Sequence, residues 1–276
     1  MNFNNEKGQA MAASNLMTLV TGSKPVLLNV PHAGKLLPSE IKSRLREDAL
    51  ELKDTDWHMD QMALACTDLG GSVLAANYSR YVVDLNRSVE DTPLYAGPTT
   101  GLVSQIDFDG SPLYLEGQTP DTDDVQARIQ SYWAPYHQAL DAEIQRIKTK
   151  FGICILVDLH SIRSQVPRLF DGVLPDFNLG TNSGASTDAR FEARAENSLQ
   201  SGRYSFVKNG RFKGGYITRH YGQPNENVHA LQLEIAQATY MEERPPWGLQ
   251  HDKADKLKTA IRDLVSTLLD EIDTHA

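Results

Sequence analysis

Ile153-Cys154-Ile155-Leu156-Val157-Asp158-Leu159 is nearly all apolar and rich in β-branched residues, with Gly152 before it and His160-Ser161 after it. A strand wet on one face alternates apolar and polar positions. An unbroken apolar run marks a strand buried on both faces, inside a sheet covered by helices on two sides. Upstream, residues 123–150 carry Val125, Ile129, Tyr136, Leu140, Ile144 and Ile147 on one helical stripe, which Pro135 should kink and Gly152 should close. Further upstream, Pro25 introduces Val26-Leu27-Leu28-Asn29-Val30, a second buried strand that ends at the turn Pro31-His32-Ala33-Gly34. Residues 72–76, 81–85, 204–207 and 231–235 read as further strands. Helical spacing is expected over 39–52, from Asp54 or Thr55 onward with Met59, Met62, Ala63 and Cys66 on one face, over 187–201 and over 250–273. Strands alternating with long helices predict an α/β fold, a single domain with a mixed, mostly parallel sheet and helices on both faces. Residues 1–22 read as a loose leader and 23–276 as the domain. Residues 88–122 are rich in Gly, Pro, Thr and Asp, and so long an excursion in a compact domain is often functional.

Composition narrows the function classes. At 276 residues the chain can bury a large core, and 40% hydrophobic with 23% charged residues excludes a mostly disordered chain. A net charge of −9 is the wrong sign for a protein that neutralises nucleic-acid phosphates. Cys66 and Cys154 both sit in apolar surroundings and form no Cys-x-x-Cys, so buried free thiols are expected rather than a disulfide framework or a cysteine zinc site. No apolar run approaches the roughly 20 residues of a membrane span. The first thirteen residues are polar, without a signal-peptide core, which points to a cytoplasmic protein.

Open α/β sheets place their sites beyond the carboxyl ends of the strands. Four such ends carry polar residues: Asn29-Val30-Pro31-His32, Asp84-Leu85-Asn86-Arg87, Asp158-Leu159-His160-Ser161 and Gln232-Leu233-Glu234. Asp56 and Asp60, at the start of a helix, can reach the same region. Two histidines and a carboxylate from separate strand ends are the donors of a catalytic zinc, which keeps one position for water. A further carboxylate can then carry a proton from water to a leaving amine, and Glu234 is the candidate. Each residue also has a plainer reading. His32 and His160 suit ordinary turns, Asp56 suits a helix N-cap, and Glu234 beside Gln232 suits a solvated edge strand. Asp158 shares a face with His160 and can orient it. Arg87, next to Asn86, is placed to grip a substrate carboxylate in a bidentate fork. Arg80, Arg163, Arg168, Arg211 and Arg219 lie near the same loops. Trp57 and Tyr216 can line a cleft or the core, and His58, His137, His220 and His229 are weaker candidates.

An ordered set of motifs carries a resemblance. Val30-Pro31-His32-Ala33-Gly34, Asp54-Thr55-Asp56-Trp57-His58, Ser79-Arg80-Tyr81-Val82-Val83-Asp84-Leu85-Asn86-Arg87 and Asp158-Leu159-His160-Ser161 resemble the N-formylglutamate amidohydrolase family. Phe177-Asn178-Leu179-Gly180-Thr181 and Leu231-Gln232-Leu233-Glu234-Ile235 extend the match, which runs from about residue 25 to 243. The resemblance implies a zinc-dependent hydrolase with a fold similar to zinc carboxypeptidases. Val83-Asp84-Leu85-Asn86-Arg87 looks like the stretch that supplies their Asn-Arg pair for the substrate α-carboxylate. His160-Ser161 looks like their downstream zinc histidine, and Leu233-Glu234-Ile235 like their general-base strand. The first metal motif departs: where carboxypeptidases have His-x-x-Glu, Lys35 follows His32 by three residues. The carboxylate ligand must come from elsewhere, and Asp56 is chosen over Asp60 and Asp54.

The implied reaction is hydrolysis of N-formyl-L-glutamate to formate and L-glutamate, the last step of one histidine-degradation route. One divalent metal, zinc, would be held by His32, Asp56 and His160. A substrate with two carboxylates needs two cationic grips, and Arg87 with Asn86 is the first. Arg219 is expected to be the second, with Arg80 and Arg168 behind it. Another N-acyl amino acid or small peptide as substrate, or a non-catalytic binding protein on the same fold, are the alternatives.

Overall fold

The computed structural model describes residues 15–93 and 97–274. Seven strands form one sheet: β1 (Met17–Val20), β2 (Val26–Val30), β3 (Ser72–Ala76), β4 (Cys154–Ile162), β5 (Phe177–Gly180), β6 (Phe206–Lys208) and β7 (Val228–Ala236). Their order is β1-β3-β2-β4-β7-β5-β6. β3, β2, β4 and β7 run parallel, as do β5 and β6, while β1 pairs antiparallel with β3 and β5 with β7. The helices are α1 (Ser39–Lys42), α2 (Met59–Leu64), α3 (Thr122–Arg128), α4 (Ala134–Phe151), α5 (Ala189–Gln200), α6 (Tyr216–Tyr221) and α7 (His251–Thr274). Among the described residues no helix is long and apolar enough to cross a membrane.

Every residue of β2, β4 and β7 is buried. Side chains alternate along a strand, so each strand feeds two cores. Ile155, Val157 and Leu159 of β4 pack under α2, α5 and α7, together with Met59, Phe191 and Leu257. Cys154 and Leu156 point the other way, to Tyr136, Leu140, Ile144 and Ile147 of α4 and Ile217 of α6. The two cysteines therefore lie in different cores as free thiols, and burial pushes both up to about 12. The expected mixed, mostly parallel sheet with helices on both faces is what the chain builds.

Several boundaries differ from the sequence reading. Residues 1–14 of the expected leader lie outside the described residues, but Met17–Val20 is not loose: it pairs with β3 and covers that edge of the sheet. Residues 81–85 are not a strand. Val82 N–H bonds the Ser79 carbonyl and Asp84 N–H the Leu102 carbonyl, so the backbone turns beside the sheet rather than joining it. The helix expected over 39–52 shortens to α1 and a 3-10 turn at Asp48–Glu51, because Arg46 N–H and the Arg44 carbonyl pair instead with residues 113 and 115. The helix expected from residue 54 or 55 begins only at Met59, after His58 at φ 64°. The long helix over 123–150 is interrupted by a π turn at Ile129–Trp133 just before Pro135, whose missing N–H cannot make the usual helical bond.

Candidate metal centre

The same alternation that buries the apolar residues brings polar ones together. Asn29, Asp158, His160, Gln232 and Glu234 continue the α4/α6-facing side of β2, β4 and β7 toward their carboxyl ends. Strand register places Asn29 opposite Asp158, Asp158 opposite Gln232, and His160 opposite Glu234. Asn29 Nδ2 donates to Asp158 at 2.7 Å, and Tyr136 Oη donates to Asn29 at 2.7 Å. The polar ladder is thus anchored in the helix core below it.

His32, from the turn after β2, and His160 stand with ring centroids 5.0 Å apart. Asp56 lies between and behind them, 1% exposed. Its Oδ2 is 3.1 Å from His160 Nδ1 and 3.7 Å from His32 Nδ1. Each ring is held at its other nitrogen by a second carboxylate: His32 Nε2 lies 2.8 Å from Asp84 Oδ1, and His160 Nε2 lies 3.0 Å from Asp158 Oδ2. Ring nitrogens held by carboxylates, with the opposite nitrogens converging, are the arrangement of metal-binding histidines. The three ligand atoms of His32, Asp56 and His160 all lie within 4.8 Å of one another. His32 Nδ1 and Asp56 Oδ1 are buried with no hydrogen-bond partner. Unpartnered buried polar atoms are costly, and a cation among these atoms would satisfy them. Two imidazoles and a carboxylate suit a borderline ion such as zinc. The residues present therefore fit a divalent metal.

Acidic side chains dominate the electrostatics of the site. Burial disfavours charge on His160, yet Asp158 and Asp56 outweigh it and hold the ring well above its usual range. Burial also opposes charge on Arg80, but Asp84, Asp56 and Asp54 hold it protonated. Its guanidinium is 2.7 Å from Asp84 and 3.8 Å from Asp56, and sits over the Phe108 ring at 4.7 Å. Burial pushes Glu234 up to about 7, with His160 and Arg80 opposing that rise and Asp56 and Asp158 adding to it. Gln232 Nε2 donates to Glu234 at 3.3 Å.

These groups open onto a cavity of about 760 Å³, counting its mouth. His32, His160 and Glu234 line it, together with Arg80, Asp84, Asn86 and Arg87. Pro98, Thr99, Thr100 and Phe108 come from the long 88–122 excursion. Asn86 is engaged at both ends of its amide: the oxygen accepts from Ile217 N–H at 2.8 Å, and the NH2 faces His160 and Asp158. A Cβ on Gly215 would collide with this amide, which explains the glycine. Asp56 caps no helix, since α2 starts three residues later. Asp54 is turned away, accepting from Tyr81 Oη and Phe108 N–H.

The family model described as N-formylglutamate amidohydrolase matches residues 24–241. The chain belongs to that family. It is 49% identical over 255 residues to an N-formylglutamate deformylase from Pseudomonas aeruginosa, covering 92% of this chain and 96% of the relative. An N-formylglutamate deformylase from Pseudomonas putida is 48% identical over 249 residues, covering 90% and 93%. Among solved structures, an N-formylglutamate amidohydrolase from Ralstonia eutropha JMP134 superposes with a TM-score of 0.77 at 27% identity, covering 94% of this chain and 98% of that one. A gene product from Agrobacterium tumefaciens shares the fold at a TM-score of 0.74 and 16% identity, with 95% and 98% covered.

Within this amidohydrolase-family site, the structure brings His32, Asp56, His160, Glu234, Asn86, Arg87 and Arg80 together and leaves Arg219 aside. Arg219 does not line the cavity; its Nε donates to the Gly214 carbonyl at 2.9 Å. Arg211 and Phe212 line it instead, as do Thr99 and Leu169. The sequence places Arg211 near these loops but Arg219 is the expected grip, although Arg211 stands in a basic segment bracketed by Gly210 and Gly214-Gly215, ahead of the Glu234 strand. Asp84 was recognised as a polar strand-end residue, but not as the partner of His32. Trp57 and Tyr216 are not cavity residues: Trp57 stacks on Trp247 and Tyr216 packs against Trp133.

Proposed function

We propose that this chain is a cytoplasmic amidase that hydrolyses N-formyl-L-glutamate to formate and L-glutamate with the help of one divalent metal ion, zinc. The observation that carries this reading is the convergence of His32 Nδ1, His160 Nδ1 and Asp56 beside Glu234 in an arginine-lined cavity. His32, Asp56 and His160 would hold the ion, which when bound lowers the pKa of a water and polarises the formyl carbonyl. Asp84 and Asp158 keep the two rings turned so that their Nδ1 atoms face Asp56. Glu234, raised by burial to about 7, is poised to exchange protons near neutral pH. It accepts a proton from the water as the new C–O bond forms at the formyl carbon. It returns that proton to the glutamate nitrogen as the C–N bond breaks, so the amine leaves neutral. Arg87 grips the α-carboxylate, and Arg80, held by Asp84 and Asp56, keeps positive charge beside the reacting carbonyl.

The test is amine release from N-formylglutamate by zinc-loaded protein, compared with N-acetylglutamate, N-formylaspartate and short peptides. Activity should vanish with a chelator, return with zinc, and favour N-formylglutamate. His160→Ala should lose stoichiometric metal by elemental analysis. No turnover of N-formylglutamate by folded, metal-loaded protein refutes the reading, and full zinc content in the His160 variant refutes the ligand set.

A further inference from the structure

The cavity has a second cationic wall that comes from a different part of the chain. Of the arginines lining it, Arg80 is committed to Asp84 and Asp56. Arg87, one residue after Asn86, also lines it and donates to Thr99 Oγ1 of the 88–122 excursion. Arg211 lies on the connection between β6 and α6. We infer that Arg211 selects substrates carrying a second carboxylate, and that Arg219 serves only to support the segment that presents it. This rests on the amidase reading above and assigns recognition of that substrate's side-chain carboxylate to one residue of the same cavity.

The connection is pinned along its length. Asn182 N–H bonds the Lys213 carbonyl at 2.6 Å, Arg219 Nε bonds the Gly214 carbonyl at 2.9 Å, and Gly215 N–H bonds Gln232 Oε1 at 2.6 Å. Gly214 adopts φ 113°, a conformation that favours glycine, and lets the chain turn back toward β7. Arg211 is therefore carried on a fixed strap. Its Nε donates to the Leu169 carbonyl at 2.8 Å, which sets the plane of the guanidinium. Leu169 and Phe212 line the cavity beside it. An arginine flanked by apolar side chains matches a short methylene chain ending in a carboxylate. The apolar walls cover the methylenes, and the guanidinium takes the charge through strong, oriented hydrogen bonds. The strap also ends on Gln232, the residue that donates to Glu234, so subsite and proton carrier share one scaffold.

The experiment compares N-formylglutamate with its neutral isostere N-formylglutamine, and binding of L-glutamate with L-glutamine by calorimetry, in zinc-loaded wild type, Arg211→Gln, Arg211→Lys and Arg219→Gln. Wild type should prefer the acidic ligand in both assays. Arg211→Gln should cut that preference by about 10²-fold, the equivalent of one charge-assisted pair, and Arg211→Lys should restore part of it. Arg219→Gln should lower both ligands together and keep the ratio. An unchanged acid-over-neutral ratio in Arg211→Gln overturns the assignment, as does an equal loss on both ligands. Should Arg211→Gln fail to fold, an Arg211→Lys variant with the full wild-type ratio also overturns it, because a point charge cannot reproduce the fork. Wild type that binds L-glutamate over L-glutamine through Arg211 but never cleaves N-formylglutamate supports the subsite and sinks the amidase reading instead.

Discussion

Asp84→Ala removes the carboxylate that stands between Arg80 and His32. In the native site Asp84 accepts from Arg80 at 2.7 Å, lies 2.8 Å from His32 Nε2, and accepts from Asn86 N–H at 2.9 Å. Burial makes charge on Asp84 costly, yet Arg80 and His32 outweigh it and hold the carboxyl well below the usual range. Deleting one member of a buried ion pair typically costs about 3–5 kcal/mol, because the surviving charge is left uncompensated. Asp56, 3.8 Å from Arg80, keeps part of that compensation, so the lower end of the range, about 3 kcal/mol, is expected here. Loss of the group that orients His32 should also weaken zinc binding by about 10–100-fold. Asp84→Asn separates the two effects. Its amide oxygen can still accept from His32 Nε2–H, so metal affinity should recover further than stability does. Urea unfolding of metal-stripped protein reads the first quantity, and competition with a chromophoric chelator reads the second. An Asp84→Ala protein that unfolds at the wild-type urea midpoint and binds zinc with wild-type affinity would refute the reasoning.

Glu234→Gln should keep its zinc and fold while kcat falls by about 10²–10⁴-fold, the usual worth of a positioned proton carrier; near-normal turnover in metal-loaded variant protein ends that role. The carbonyls on either side of Asp56 are held by residues after β7, Thr55 by Gln237 Nε2 at 2.9 Å and Trp57 by Tyr240 Oη at 2.8 Å. Tyr240→Phe should therefore weaken zinc affinity by about tenfold with little change in core packing, and unaltered affinity in the chelator competition would show that the clamp does not matter. His137 is pushed down to about 4 by burial, and it contacts the Leu85 carbonyl through Nε2 and the Tyr221 hydroxyl through Nδ1, a neutral-ring arrangement. Between pH 6.5 and 4 the unfolded chain takes up a proton at this site that the native protein refuses, so stability falls as pH falls through that window. From pH 7 to 5 this group should contribute about 2 kcal/mol of the loss, and urea curves of His137→Gln should show a correspondingly smaller drop; equal drops in both proteins contradict it.

How much of the protein was readable from its chain follows the range of the interactions involved. The unbroken apolar run Ile153-Cys154-Ile155-Leu156-Val157 is a local property that called for helices on both sides of the sheet, and the period-two geometry of a strand already placed Asp158 and His160 on one face. The same reasoning put Gln232 and Glu234 on one face, and strand-end logic singled out His32, His160 and Glu234 as site candidates. The motif set added the family. Register is not local: that His160 stands opposite Glu234 depends on how β4 and β7 align across 74 residues of chain. The loops depended most on the tertiary structure. Residues 81–85 have the apolar pattern of a strand, but long-range partners at Leu102 and His32 turn them into the segment that orients a candidate ligand. Asp56 reads equally well as a cap or a ligand until the chain folds, and only the positions of His32 and His160 distinguish the two. Arg211 and Arg219 lie eight residues apart in the same glycine-bracketed region. A turn at Gly214 and the bond from Arg219 to its carbonyl decide which of them lines the cavity. Hydrophobic periodicity is written in neighbouring residues, whereas the direction of a loop side chain is set by contacts many residues away, and those exist only in the folded protein.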